Sequence, residues 1–174
     1  ANAKTITLSF WVRSSLTGTF GGALSNGSRA YPYTYTISAA NTWEYKTITF
    51  AGDTSGTWNS TNGYGVAVRF SLGTGSTYAG TAGSWQSAEL VSATGATSVV
   101  ATNGATFYIT GVQLEAGSVA TPFERRSYGQ ELALAMRYYY RVNATSIYTT
   151  YGHGWNNSTS GGQAVLRHPV RMRV

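Results

Sequence analysis

The stretch that decides the fold is KTITLSFWVRSS, residues 4–15, in which apolar side chains recur at every second position. Ile6, Leu8, Phe10 and Val12 share one face of this stretch, and mostly polar residues occupy the other. Because successive side chains of a β-strand point to opposite sides, the spacing predicts a strand with one face in a hydrophobic core. A strong strand so near the start has an earlier neighbour in most sandwiches, so we expect the chain to be part of a longer polypeptide.

The same two-residue period returns in four later segments. They are SRAYPYTYTIS (28–38), TWEYKTITFAG (42–52), GYGVAVRFSLG (63–73) and ATFYITGVQLEAG (105–117). Gly111 in the last segment predicts a β-bulge. Loops rich in Gly, Ser and Thr separate the segments, chiefly at 51–63 and 73–88. Short strands at this spacing predict an antiparallel β-sandwich or jelly roll.

A helical pattern is confined to residues 127–140. Ser127 followed by Gln130 is typical of the start of a helix, where a side chain caps the free backbone N–H groups. Apolar side chains then recur at helical spacing, and we expect them to pack inside the helix's own small domain. They are Leu132, Ala135, Met136 and Tyr139.

The predicted fold class is therefore mainly β. An antiparallel jelly-roll β-sandwich covers residues 1–115, a linker covers 116–126, and a small domain covers 127–174. The small domain begins with the short helix and continues in strands within TSIYTTYGHGW (145–155) and GGQAVLRHPVRMRV (161–174). Neither end of the sequence carries a natural cap, so we expect the sandwich to lack its first strands and the small domain to be incomplete.

Composition narrows the class of protein further. The chain has 174 residues, of which 42% are hydrophobic, 14% aromatic and only 10% charged, a balance typical of a folded β protein. It has no cysteine, which excludes disulfides, thiolate metal sites and cysteine nucleophiles. No apolar run approaches the ~20 residues of a membrane span, so we expect no membrane insertion.

The net charge of +6 is concentrated in the C-terminal part. Residues 1–120 hold five basic and four acidic side chains, whereas residues 121–174 hold seven arginines and two glutamates. Such an excess fits a nucleic acid, an acidic neighbouring subunit or an anionic glycan. The arginines alternate with apolar residues and form no continuous stripe, so a nucleic-acid partner is the least favoured of the three.

The ionisable side chains do not form a catalytic or metal-binding pattern. Asp53 lies in a Gly/Thr loop and is expected to make a turn, and Glu44 is expected to pair with Lys46. The other acids near the linker are expected to form ion pairs with arginines; they are Glu115, Glu124 and Glu131. His153 and His168 have no third ligand at a supporting spacing. The sequence therefore predicts no enzyme activity, no metal site and no cofactor.

Aromatic and amide side chains in the polar loops are the candidate ligand site. Sugar binding uses aromatic planes for stacking and amide or hydroxyl groups for hydrogen bonds, and the two long loops supply both. The candidates are Trp58, Tyr64, Tyr78, Trp85, Asn59, Asn62 and Gln86. Large aromatic residues more often fill hydrophobic cores than bind ligands. For Trp11 and Trp43, which lie in regular strands, we therefore favour packing in the core or on the sheet. Tyr31, Tyr33 and Tyr35 share one face of a strand. This face either packs in the core or forms the concave, ligand-binding face of a jelly roll.

The stretch NGATFYITGVQLEAGSVATPFERRSYGQELALAMRYYYR, residues 103–141, resembles a module boundary of tail-fibre and other structural proteins of tailed bacteriophages. The segments TLSFWVRSS and NTWEYKTITF resemble the β-module before that boundary, which is similar to carbohydrate-binding jelly rolls. Two departures stand out. Thr110 and Gly111 occupy positions that are acidic in relatives with a structural calcium, and Ala135-Met136 replace a usual Cys-Gln pair.

The resemblance implies a non-catalytic virion protein that assembles into trimeric fibres of identical subunits and contacts other virion proteins. The jelly roll would then bind a glycan of the host surface or a neighbouring virion protein. The alternatives are a purely structural assembly module without glycan binding and, less favoured, an Arg-rich nucleic-acid-binding protein. Tyrosine and arginine are enriched at protein interfaces, so the expected subunit contacts lie at the end of the helix. They are Tyr138, Tyr140, Arg137 and Arg141.

Overall fold

A computed structural model describes residues 4–141, 143, 152–165 and 167–172. The chain forms two compact units, residues 1–123 and 124–174. The strands of the first unit are β1 (Ile6–Ser14), β2 (Gly18–Ser25), β3 (Ala30–Ile37), β4 (Glu44–Phe50), β5 (Ala67–Phe70), β6 (Ala79–Gly80), β7 (Ser92–Ala93) and β8 (Phe107–Ala116). A single 3-10 turn, Ser76–Tyr78, precedes β6.

The first unit is a β-sandwich, as the sequence predicts. Strands β4, β1 and β8 form one antiparallel sheet in that order, and β3, β2 and β5 form the other. The core lies between the two sheets, where the apolar β1 residues Leu8, Phe10 and Val12 are completely buried. A short parallel pair, β6 with β7, lies outside both sheets.

The predicted bulge at Gly111 is confirmed. The pairing of β1 with β8 shifts by one residue between Ser9 and Trp11, and Gly111 has a φ of +59°. A glycine adopts this conformation without the steric cost that a Cβ brings, which is why it occurs at this kind of bulge. The extra residue keeps Ile109, opposite Val12, on the core side of the sheet.

Strand β2 was not expected from the sequence, because its glycines hide the apolar alternation. Gly22 pairs with Tyr33 on β3 and with Phe70 on β5. A Cβ on Gly22 would lie 2.2 Å from the Arg69 carbonyl oxygen and 2.5 Å from the Tyr33 ring. The glycine is therefore needed for the Tyr33 ring to lie across the central strand of the second sheet.

The tyrosines of β3 belong to the core. Tyr33 and Tyr35 are buried and pack with Phe10, Phe20 and Phe50 at centroid distances between 5.1 and 5.8 Å. Their reading as a concave binding face is therefore wrong. Trp11 and Trp43 lie outside the core, since both are more than two-fifths exposed. Trp11 shows the sheet packing that was the other expectation, because it packs on Tyr45 across the outer side of its sheet.

The hydroxyls of Tyr33 and Tyr35 differ in their hydrogen bonding and provide a matched pair of tests. The Tyr33 hydroxyl donates to the Arg69 carbonyl oxygen at 2.8 Å, whereas the Tyr35 hydroxyl is buried with no hydrogen-bond partner in the described structure. We expect Tyr33→Phe to lower the free energy of unfolding by about 1 kcal/mol and Tyr35→Phe to leave it unchanged or raise it, as measured by urea unfolding. Equal losses in the two variants would contradict this.

Burial raises the pKa of both phenols, and the proximity of Tyr35 adds to the shift of the Tyr33 pKa. The folded state therefore holds these protons more tightly than the unfolded chain does. Their contribution to stability is complete below the unfolded pKa of about 10 and decreases as the pH rises above it.

The expected pair of Glu44 with Lys46 is confirmed at 2.6 Å. The Glu44 carboxylate also accepts the backbone N–H groups of Ser38 and Ala39. The hydrogen bond from Lys46, followed by that from Ala39, lowers the Glu44 pKa. Among the described residues Glu115 has no ion pair of the expected kind, and its carboxylate accepts the hydroxyl and the backbone N–H of Thr121.

The segment after β8 folds back on the first unit. Besides the bonds to Glu115, Thr121 accepts a hydrogen bond from Gln113 at 3.2 Å. Phe123, which follows shortly after, lies beside Gly111: a Cβ added to that glycine would be 3.9 Å from the Phe123 ring. The first residues of the predicted linker are therefore held along the outer side of β8.

The second unit contains helix α1 (Tyr128–Met136) and a hairpin of β9 (His153–Ser158) with β10 (Gly161–Val165). Ser127 is the N-cap, as predicted, and accepts a hydrogen bond from the Gln130 N–H. The expected ion pairs of Glu124 and Glu131 are confirmed, both with Arg126.

Two expectations for this unit are wrong. The helix ends at Met136 instead of residue 140, because three successive tyrosines propagate a helix less well than the preceding Leu and Ala residues. The stripe at helical spacing is not packed inside the unit, since Leu132 is 38% and Tyr139 69% exposed. The predicted strand in 145–155 lies partly outside the described residues, and the described residues 167–172, which contain Pro169, form no strand.

Candidate functional site

The candidate site of the first unit is a cleft between the β2–β3 turn and the long loop after β4. Its volume is about 500 Å³. Asn26, Gly27 and Ser28 line one side, and residues of the stretch 57–64 line the other, including Trp58, Asn59 and Tyr64. We call this the loop cleft. Its lining offers amides, hydroxyls and two aromatic rings.

A buried carboxylate holds the two sides of the loop cleft together. Asp53 is only 2% exposed and accepts hydrogen bonds from the Asn26 amide at 2.8 Å and from the Arg29 guanidinium at 3.3 Å. The Asp53 carboxylate also accepts the Ser55 N–H, which makes the turn that the sequence predicts. The same Asp53 thus joins the β2–β3 turn to the loop that carries the aromatic residues.

Two further links fix the loop. The Ser28 hydroxyl accepts the Thr57 N–H at 3.2 Å, and the Trp58 indole N–H donates to the Asp53 carbonyl oxygen at 3.1 Å. The indole N–H of Trp58 is therefore used within the protein, while its ring borders the loop cleft. The geometry is set before any ligand arrives, which lowers the entropy cost of binding.

Trp85 supports Trp58 from behind. Their ring centroids are 5.9 Å apart in an edge-to-face arrangement, and Trp85 also packs edge-on against Tyr31. The Trp85 indole N–H donates to the Ala51 carbonyl oxygen at 2.7 Å, and its own carbonyl accepts a bond from Arg29. The two tryptophans are half-buried and in contact, but only Trp58 lines the loop cleft.

Tyr64 and Asn59 complete the far wall. The Tyr64 ring lies over Gly27, where an added Cβ would be 3.6 Å from it, and its hydroxyl accepts a long bond from Arg69 at 3.4 Å. The side-chain oxygen Oδ1 of Asn59 accepts the Thr61 N–H and hydroxyl, and the Asn59 side-chain Nδ2 lies over Gly63. These residues are exposed and open to solvent in the loop cleft.

The remaining sequence candidates are not brought into the loop cleft. Asn62 is exposed on the same loop between two lining residues but does not line the volume itself. The Gln86 amide donates to the Thr81 carbonyl oxygen at 2.6 Å, and its backbone pairs with Ala30, so it braces the second sheet. Tyr78 ends the 3-10 turn, exposed and outside the lining.

Sequence reasoning missed the SNGS turn, residues 25–28, as part of the site. An Asn-Gly pair between two strands is a hairpin signal and attracts no further attention. The residue types could have indicated a binding role, because Asn26 and Ser28 carry the amide and hydroxyl groups that a polar cleft uses. Their role depends on the contact with Asp53, which lies 27 positions later and is not visible in the sequence.

The proposed interface residues of the second unit are largely exposed. Tyr138 and Tyr140 follow the helix, and the Tyr140 ring is 6.0 Å from that of His168 in an edge-to-face contact. Arg137 is the C-cap of α1 and donates its N–H to the Leu134 carbonyl oxygen. Arg141 is exposed as well.

Comparison with known protein families, with curated proteins and with solved structures finds no match for this chain. In the described part of the chain, no helix combines the length and the apolar character needed to cross a bilayer. Among the same residues, no three His, Asp or Glu side chains are grouped so that they could hold a metal ion.

Proposed function

We propose that the β-sandwich is a non-catalytic binding module that takes a glycan in the loop cleft. The observation that carries the proposal is the pre-ordered pairing of the Trp58 ring with amide and hydroxyl groups in one open volume of about 500 Å³. Aromatic planes stack on the apolar faces of sugar rings, and amides and hydroxyls bond to sugar hydroxyls. Open clefts with a few fixed polar groups are also typical of small-ligand sites in general.

The wider setting of the proposal is a bacteriophage virion, where the module would recognise a host-surface glycan as part of a fibre of identical chains. The sequence resemblance over 103–141 supports this setting. The exposed tyrosines that follow α1 support contacts between copies, or with other virion proteins, because Tyr and Arg are enriched in such interfaces. The alternative is an assembly module whose loop cleft receives a protein segment.

The test is a glycan array on the whole chain, followed by titration of the best glycan against variants of the loop cleft. We expect Trp58→Ala to weaken binding by ~1–3 kcal/mol, a scale taken from aromatic stacking in nucleic-acid binding. Tyr64→Ala, which removes a ring without touching the Asp53 bonds, is expected to weaken binding too. Tyr78→Ala, an exposed tyrosine outside the lining, is the matched control and should bind as the wild type does.

The assembly alternative makes the opposite prediction. It is favoured if no glycan binds while light scattering on the same preparation shows an oligomer that dissociates in Tyr138→Ala or Tyr140→Ala. A monomer that binds no glycan would contradict both.

A further inference from the structure

The sheet β4–β1–β8 has a second surface, on the side away from the core. Its side chains come from the alternate positions of each strand: Trp11 and Arg13 on β1, Tyr45 on β4, and Tyr108 on β8. We call the surface formed by these four residues the outer face. Trp11 and Tyr45 are each 44% exposed, and nothing in the proposed glycan site uses them.

The aromatic rings of the outer face form a row across the strands. The Trp11 and Tyr45 centroids are 5.4 Å apart with a tilt of 48°. Arg13 lies beside this row, with its guanidinium carbon 5.6 Å from the centre of the Tyr108 ring, on which it stacks. A guanidinium stacked on an aromatic ring keeps its charge and is attracted to the face of the ring.

The charge on this face is uncompensated among the described residues. No described carboxylate forms an ion pair with Arg13, and its Nε is buried with no hydrogen-bond partner in the described structure. Glu115, at the other end of the sheet, is held by Thr121. A partner that brings a carboxylate to this guanidinium would therefore meet a cation that no described carboxylate neutralises.

The chemistry of the rest of the surface favours a saccharide over an apolar protein patch. Beside the aromatic rings, outward positions of β4 and β8 present hydroxyl and amide side chains. These residues are Thr47, Thr49 and Thr110, which are exposed, and Gln113, which is partly exposed. Protein-binding patches have an apolar centre, whereas rings flanked by hydroxyls and one cation suit a sugar that carries an acid.

We propose that the outer face binds an acidic saccharide, with sugar rings stacked on Trp11 and Tyr45 and a carboxylate bonded to Arg13. This site is separate from the loop cleft, which is lined by other residues of other elements. The ligand class is a chain of uronic acids or another sugar with a carboxylate. The inference stands or falls independently of glycan binding in the loop cleft.

The experiment titrates the whole chain with oligogalacturonate and with the same oligosaccharide after its carboxyls are reduced to alcohols. The wild type is expected to prefer the acidic form. Arg13→Gln should weaken binding of the acidic form at least about tenfold and abolish the preference, since a hydrogen bond to a charged group is lost. Trp11→Ala should weaken both forms, because it removes the stacking plane.

Two variants separate this site from its alternatives. Arg125→Gln removes an exposed arginine of the second unit that is outside the proposed subunit contacts, and it is expected to change nothing. An equal loss there would mean diffuse attraction by net charge and would overturn the proposal. Loss of oligogalacturonate binding in Trp58→Ala, with Trp11→Ala unaffected, would place the saccharide in the loop cleft and would overturn the proposal. Failure of the wild type to bind the acidic form, or unchanged binding in a folded Arg13→Gln variant, would equally overturn it.

Discussion

Replacing Asp53 by alanine is expected to lower the free energy of unfolding by about 3 kcal/mol, close to the effect of breaking other buried ion pairs. The carboxylate accepts bonds from Asn26, Arg29 and Ser55, and its removal leaves the Asn26 amide without its acceptor and the Arg29 guanidinium with only the Trp85 carbonyl oxygen. Urea unfolding of wild type and variant, monitored by tryptophan fluorescence, measures the difference. Because the same group joins the two sides of the loop cleft, ligand binding should weaken as well.

Glu89 provides the matched control. Its carboxylate also pairs with an arginine, Arg69, but its side chain is 55% exposed. Exposed pairs contribute little, so Glu89→Ala should cost less than about 1 kcal/mol. If Asp53→Ala were no more harmful than Glu89→Ala, the carboxylate would not be the structural anchor described above.

The second large effect is expected for Phe10→Ala, with a loss of about 3–5 kcal/mol in the free energy of unfolding. The Phe10 ring is completely buried and packs edge-on against Tyr35 at 5.1 Å and Phe70 at 5.0 Å. These contacts link the two sheets, so the cavity left by alanine would separate partners from both. A loss of this size is a large part of the total stability of most domains.

The neighbouring Trp11→Ala is the control on the same strand. Trp11 points away from the core and is half-exposed, so its truncation should destabilise far less than that of Phe10. Urea midpoints of the two variants measured side by side would test this. A Trp11→Ala variant as unstable as Phe10→Ala would show that both sides of β1 are buried in solution.

The sequence predicted those strands whose large side chains alternate. In β1 and β3, Phe10 and Tyr33 mark the buried face unambiguously, and both lie in the core. Strand β2 was not predicted, because Gly21 and Gly22 carry no side chain that could show an alternating pattern. Its other residues are nevertheless as buried as those of β1. Hydrophobic periodicity thus identifies a strand only where there are side chains to carry it.

The candidate site was predictable in part for a related reason. Trp58, Asn59 and Tyr64 are close in sequence, so their grouping in one loop could be read directly. The opposite wall, at Asn26, depends on a contact over 27 positions with Asp53, and no local pattern reports it. The end of α1 was misjudged because the stripe continued to Tyr139 in spacing while the helix itself ended at Met136.

In the loop after β4, the residues that anchor the loop differ from the exposed residues that line the loop cleft. This separation affects which substitutions the loop can accept during evolution. The bonds that anchor the loop come from Asp53 and the indole N–H of Trp58, whereas residues 59–63 are exposed and their described side-chain hydrogen bonds join Asn59 to Thr61. Substitutions among these exposed residues would alter the wall of the loop cleft while leaving the anchors and the sandwich untouched. A lineage under pressure to recognise a new surface could therefore exchange this segment repeatedly without first acquiring compensating changes in the core.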